Sequence, residues 1–231
     1  PKIETQNYRD IQALCRDAQE RHRLVACAAD TGLGKTTALK AYKAQNANTY
    51  YMLCASSMSS REFSQAIAST LGLVGQGFSA NKSITRAATE LNTLESPLFI
   101  FDDCGKLGAK SWPLIQELRD RTEDSVGIVI AGMPYLRKYI LQGVSGGWNG
   151  FAEIYRRIGY WQSLRKPGIE EVEMMCTYAG ITNTRTIAFI GKWATNFGLL
   201  NELLENALRA MAAGNDINDI NIIRALQVGD A

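Results

Sequence analysis

At 231 residues the chain is long enough to bury a sizeable core, as one large domain or a domain with a small lid. Its 25 Lys and Arg stand against 23 Asp and Glu, a formal net charge of +2, so any basic surface for nucleic acid must be local. No apolar run reaches membrane-spanning length and Pro1–Asp10 lacks a charged-then-apolar signal pattern, which predicts no membrane partner and a cytoplasmic protein.

Residues Tyr8 to Arg23 set Ile11, Leu14, Cys15 and Ala18 on one face, the pattern of an amphipathic helix. The apolar run Leu24–Ala28 then predicts a short strand. It feeds Ala29-Asp30-Thr31-Gly32-Leu33-Gly34-Lys35-Thr36-Thr37 and the helical Ala38–Tyr42. Strand, tight turn, helix is the context a phosphate-binding loop requires. Glycines let successive N–H groups converge on an anion, and the helix that follows adds the positive end of its dipole. On this reading Thr31, Gly32, Leu33, Gly34, Lys35, Thr36 and Thr37 line an ATP site. Lys35 reaches the β- and γ-phosphates and the Thr36 hydroxyl ligates Mg²⁺. The consensus glycine at the loop entry is Ala29 here, so that residue must take ordinary backbone angles. Tyr8, at the start of the first helix, is a candidate adenine contact.

Further on, Thr49–Cys54 reads as a strand and Ser59–Leu71 as a helix capped by Ser59 or Ser60. Gly72–Lys82 reads as a glycine-rich loop and Ser83–Leu94 as the next helix. Pro97–Asp103 is an apolar strand ending in two carboxylates, Ser111–Glu123 a helix and Val126–Gly132 a strand. Strands apolar on both faces and alternating with helices predict a buried parallel sheet in an α/β fold. From Ile169 the pattern is helical only: Ile169–Ala179, Thr184–Asn196, Leu199–Met211 and Ile217–Leu226, separated at Gly180, Gly198 and Gly214. The composition shift at Lys166-Pro167-Gly168 divides a nucleotide-binding domain, 1–166, from a helical lid, 167–231. His22 is the only histidine, which excludes His-based triads and multi-histidine metal sites. Five scattered cysteines without C-x-x-C spacing read as small buried apolar residues. The chain begins without methionine, which predicts residues removed upstream.

Asp102 and Asp103 close their strand at the carboxyl edge of the sheet, beside the phosphate loop. The pattern assigns Asp102 to Mg²⁺ and Asp103 to polarising the attacking water. Glutamate is usual at the second position. The aspartate is one methylene shorter, and displacing a catalytic carboxylate by about an ångström costs on the order of a hundredfold, so slow turnover is expected.

Phosphate loop, Leu98-Phe99-Ile100-Phe101-Asp102-Asp103, Gly127-Ile128-Val129-Ile130-Ala131-Gly132-Met133-Pro134, the pair Arg156 and Arg157, and a helical lid together resemble an AAA+ ATPase. Within that class the chain is similar to the compact group containing the transposition regulators MuB and TnsC and the ExeA-type secretion ATPases. The resemblance implies a parallel-sheet P-loop NTPase core with a C-terminal helical lid. Two departures stand out: Met133 occupies the neighbourhood of a polar sensor, and Asn201 stands where a lid arginine is common, a candidate nucleotide contact that can hydrogen-bond a phosphate but supplies no charge. Both fit a nucleotide-dependent switch better than a fast motor. The resemblance further implies an ATP-dependent homo-oligomer or helical filament on double-stranded DNA that recruits a transposase. Lys82 at the end of the glycine-rich loop, Thr85 just beyond it, and the segment from Lys106 to Lys110 are the candidate phosphate contacts. Arg156 and Arg157 follow a loop at Gly143–Gly150 and a short apolar turn. They are candidates for completing a neighbour's catalytic site, the alternative being a surface ion pair with Glu153 or Glu170. The competing function is a signalling or secretion switch that acts on protein partners without nucleic acid.

Overall fold

The structure is a computed structural model that describes residues 3–73, 79–122 and 125–227. The middle of the expected glycine-rich loop, 74–78, and Glu123 at the end of an expected helix lie outside the described residues. The chain forms two compact units. The larger comprises Tyr8–Asp30 and Lys35–Leu164. The smaller comprises the described residues up to Asn7, the loop tip Thr31–Gly34, and the chain from Arg165 onward.

In chain order the first part carries α1 (Gln6–Glu20), β1 (Leu24–Ala28), α2 (Lys35–Gln45), β2 (Thr49–Leu53), α3 (Ser60–Thr70), α4 (Ala80–Leu91) and β3 (Leu98–Asp102). Then come α5 (Trp112–Arg121), β4 (Gly127–Gly132), α6 (Tyr135–Ser145), α7 (Phe151–Arg157) and β5 (Ile158–Gln162). The five strands form one parallel sheet in the order β2-β3-β4-β1-β5. Alternation along each strand sends residues to two cores. Leu24, Ala26, Phe99, Phe101, Ile128 and Ile130 face a cluster with Phe63, Ile84, Trp112 and Phe151. Val25, Cys27, Leu98, Ile100, Val129 and Ala131 face Ile11, Leu14, Leu39 and Tyr42 on α1 and α2. Burial on both faces is why these strands read as continuous apolar runs.

Several expectations need correcting. Helix α4 begins three residues early because the Ser79 hydroxyl caps it, accepting from Lys82 N at 3.3 Å; Lys82 is therefore a helix residue and not the end of a loop, and Thr85 lies one turn further along the same helix. Of the expected loop Gly143–Gly150, residues 143–145 end α6 and 146–150 connect it to α7, which replaces the expected apolar turn; α6 from Tyr135 and the edge strand β5 had no counterpart in the sequence reading. In α6, Leu136, Ile140 and Gly143 are buried at helical spacing. Gly143 is a packing residue: a Cβ there would stand 2.1 Å from the Phe151 ring.

The smaller unit holds α8 (Ile169–Tyr178), α9 (Thr184–Trp193), α10 (Phe197–Ala212) and α11 (Ile220–Ala225). Asn183, Asn196 and Asp219 cap the last three with side-chain oxygens. Its core is Val172, Met175, Cys176, Ile190, Leu200, Leu203 and neighbours, against which Ile3 packs.

Candidate nucleotide site

In the larger unit Lys35 opens α2, and its ammonium donates to the carbonyls of Ala29 and Asp30, the latter at 2.7 Å. Burial pushes the Lys35 amine below its usual value, against the opposing influence of Cys27, Asp102, Asp103 and Asp30. Thr36, next on the same helix, donates its hydroxyl to Asp102 Oδ2 at 2.7 Å. Asp102 is fully buried at the end of β3; its Oδ2 also accepts from the Tyr51 hydroxyl at 2.9 Å, and its Oδ1 from the Asp103 N–H at 2.9 Å.

Tyr51 escaped the sequence reading. It comes from β2, whose register sets it opposite Ile100 on β3. Burial, then the charge of Asp102, pushes its phenol well above the ordinary range.

Asp103 adopts the left-handed conformation, φ 60° and ψ 32°, uncommon for a residue with a side chain. Its carboxylate pairs with Lys106 Nζ at 2.7 Å, which raises the lysine above its usual value. Lys106, one of the candidate DNA contacts, is thus tied to the candidate catalytic carboxylate. A spacing of three residues in a turn was the available signal. Lys110 is exposed in the following short turn, Ala109–Ser111, and Lys82 is exposed in the first turn of α4. The Thr85 hydroxyl donates to Asn81 O within α4. Arg157 forms an ion pair with Asp120 on α5, not with Glu153 or Glu170. Arg156, in the last turn of α7, is exposed. Tyr8 is half-buried against the Ile11 and Leu14 cluster.

In the smaller unit the loop tip carries Gly32 and Gly34 at φ 72° and 88°. Ala29 is not among the residues at positive φ, as its side chain requires. Gly198 N donates to Gly32 O at 3.0 Å, and Asn7 Nδ2 to Leu33 O at 3.1 Å. Asn201 is exposed on α10 one turn beyond Gly198, on the same face. Thr31 is exposed at the tip, and Thr37 is exposed on α2.

These groups fit a magnesium nucleotide. A buried ammonium whose partners are backbone carbonyls is able to exchange them for a polyanion. A threonine hydroxyl and a buried carboxylate at 2.7 Å supply the hard oxygens Mg²⁺ prefers, and that ion takes only one or two such protein oxygens beside substrate phosphates. Among the described residues no group of three or more His, Cys, Asp or Glu forms a separate metal cage. No helix of the described residues is long and apolar enough to cross a membrane.

A family model described as AAA domain matches residues 17–140. No curated protein matches the sequence. Among solved structures, a DNA replication initiation factor is similar at TM-score 0.57 and 14% identity, over 91% of this chain and 62% of that one. The replication initiator DnaA bound to AMPPCP and single-stranded DNA is similar at TM-score 0.60 and 13% identity, over 97% and 65%. RuvB from Thermotoga maritima is similar at TM-score 0.57 and 15% identity, over 97% and 68%. The chain spans less than two thirds of the length of the first two, and at these identities the likeness is one of fold.

Proposed function

Because this chain belongs to the AAA domain family, we propose that it is an ATP-dependent, DNA-binding regulator of DNA transposition that assembles on target DNA and recruits or activates a transposase. The nucleotide half of this reading is carried by one observation: Thr36 Oγ1 and Asp102 Oδ2 meet at 2.7 Å beside a buried, carbonyl-bound Lys35. Mg²⁺ supplies charge neutralisation of the phosphates when bound, and Thr36 and Asp102 are the residues that would hold it. Lys35 binds the β- and γ-phosphates, and Asp103 orients the attacking water. Asp103 in place of glutamate, its tether to Lys106 and the neutral Asn201 support slow hydrolysis, suited to a clamp that stays assembled while ATP lasts. Arg157 is committed to Asp120, so Arg156 is the residue we assign to a neighbouring subunit's γ-phosphate.

DNA binding is supported by the exposed Lys82 and Lys110, which carry no base-reading pattern and suit phosphate contacts; Lys106 would join them only on leaving Asp103. DnaA, with a similar fold, is bound to a nucleotide analogue and single-stranded DNA; a nucleic-acid partner for this chain is consistent with that likeness. Electron microscopy and sedimentation with ATP, with and without duplex DNA, test the reading. Filaments that need both ATP and DNA support it. Rings that form without DNA, or no labelled-duplex shift in ATP, replace it with a switch acting on protein partners.

A further inference from the structure

We infer that Gly198 and Asn7 are positioning residues for phosphate binding: the Gly198 N–H and the Asn7 side-chain amide hold two successive carbonyls of the phosphate loop, Gly32 O and Leu33 O, and so aim the loop's own N–H groups. The inference rests on the nucleotide reading above. It is built wholly within the smaller unit.

A trans peptide points its C=O and its N–H in opposite directions. The peptide that contributes Gly32 O contributes the N–H of Leu33, and the peptide that contributes Leu33 O contributes the N–H of Gly34. Fixing each carbonyl therefore fixes the N–H on the opposite edge of the same peptide, and two consecutive N–H groups so fixed are what a backbone concavity for an anion is made of. The holding bonds are 3.0 Å from Gly198 N to Gly32 O and 3.1 Å from Asn7 Nδ2 to Leu33 O.

Both donors are themselves fixed. Asn7 is 1% exposed, gives a second amide bond to Arg165 O at 2.8 Å and accepts from Arg165 N at 3.1 Å. Its neighbour Gln6 donates its N–H to Glu171 Oε1 at 2.7 Å, and Glu171 Oε2 accepts from Gly168 N at 2.8 Å. Gly198 lies in the first turn of α10, where backbone N–H groups have no partner inside the helix. Asn196 Oδ1 satisfies Leu199 N at 2.9 Å, and Gly32 O satisfies Gly198 N. The loop thus caps the helix while the helix holds the loop. Packing leaves no slack: a Cβ on Gly32 would stand 2.3 Å from Asn196 Oδ1 and would have to accept φ 72°.

The test uses the full chain and measures binding of ATP and of inorganic tripolyphosphate, each with Mg²⁺, by calorimetry. Gly198→Pro removes the donor; α5 already carries a proline at the same place in its first turn, Pro113 after Trp112, so the helix start tolerates it. Gly198→Ala keeps the donor at the cost of a 3.0 Å contact with Asn196 Oδ1. Asn7→Ala removes the second donor independently of α10. Loss of one such bond is expected to weaken both ligands roughly five- to tenfold, and by the same factor, because the change acts on phosphate and not on the base. Gly198→Ala should recover most of the affinity, and kcat at saturating ATP should fall far less than kcat/KM in Gly198→Pro. Lys35→Ala separates the two levels of the argument. If it binds tripolyphosphate like the parent, the nucleotide site itself is misassigned. If it loses binding while Gly198→Pro and Asn7→Ala bind like the parent, the positioning role alone is overturned, and Asn7→Ala decides the matter should Gly198→Pro fail to fold.

Discussion

Tyr51→Phe removes one hydroxyl from the centre of the site and leaves the ring, and with it the Lys40 ammonium 5.5 Å from the ring centroid. Asp102 Oδ2 then keeps only the Thr36 donor of the two it holds. A hydrogen bond to a charged acceptor contributes about 1.5–3 kcal/mol. Tyr51 is half-buried, so water partly replaces the lost donor and the lower end, about 1.5 kcal/mol, applies. For a chain of this size that is a fall of roughly 3–6 °C in melting temperature. The freed carboxylate is also less well aimed, so half-saturation by Mg²⁺ in ATP binding should rise severalfold. Calorimetric melting and a Mg²⁺ titration at fixed ATP read the two effects. A melting temperature within 1 °C of the parent together with an unchanged Mg²⁺ dependence would show that Tyr51 does not orient Asp102.

Lys35→Ala should lower ATP affinity by at least about tenfold in titration calorimetry, since it deletes the only side-chain cation in a loop of backbone donors; retained affinity would refute the loop assignment. Lys106→Met should free Asp103 and raise basal ATPase severalfold, whereas Asp103→Asn should bind ATP normally, stay assembled and hydrolyse it more slowly. Equal rates for the parent and Asp103→Asn would remove Asp103 from the mechanism, and an unchanged rate in Lys106→Met would show that the tether does not restrain it. The five cysteines are all free and buried, and burial pushes the Cys27 thiol up to about 12. A thiol reagent at pH 8 should therefore label less than one cysteine per native chain within minutes and all five after denaturation; rapid native labelling would contradict the packing.

The chemistry that the sequence disclosed is the part that is local in the chain. Lys35 and Thr36 stand in one continuous motif, and Asp102 closes an apolar run that only a buried strand explains. Strands β1, β3 and β4 were readable because both of their faces are covered, and β2 because Tyr50 and Tyr51 pack, half-buried, on its two faces. What stayed hidden depends on distant pairing or on misleading composition. Tyr51 reaches Asp102 across neighbouring strands, and Asn7 reaches Arg165 across 158 residues. Glycines in α6 and in the connection to α7 suggest a loop, yet Gly143 is small because Phe151 lies on it. Among the described residues strand β5 pairs only with β1, and it leaves Tyr160 largely exposed, so it lacks the apolar signature of its neighbours.

The smaller unit is assembled from three separate passages of chain, and this governs the order in which the protein folds. Its ties from Asn7 to Arg165 and from Gln6 to Glu171 close loops of 158 and 165 residues. Closing loops of that length is entropically costly until the intervening chain is compact, and contacts of such separation form late. On a ribosome, Asn7 is made before the first strand, but its partner Arg165 follows the entire parallel sheet. The segment at Gln6 and Asn7 therefore waits for its partners until the strands have been made, and the loop tip at Gly32 receives its Gly198 donor only after α10 has been synthesised. A chain cut short before Arg165 should fold its sheet yet carry an unsupported phosphate loop, so partial products are poor nucleotide traps and full competence for ATP arrives last.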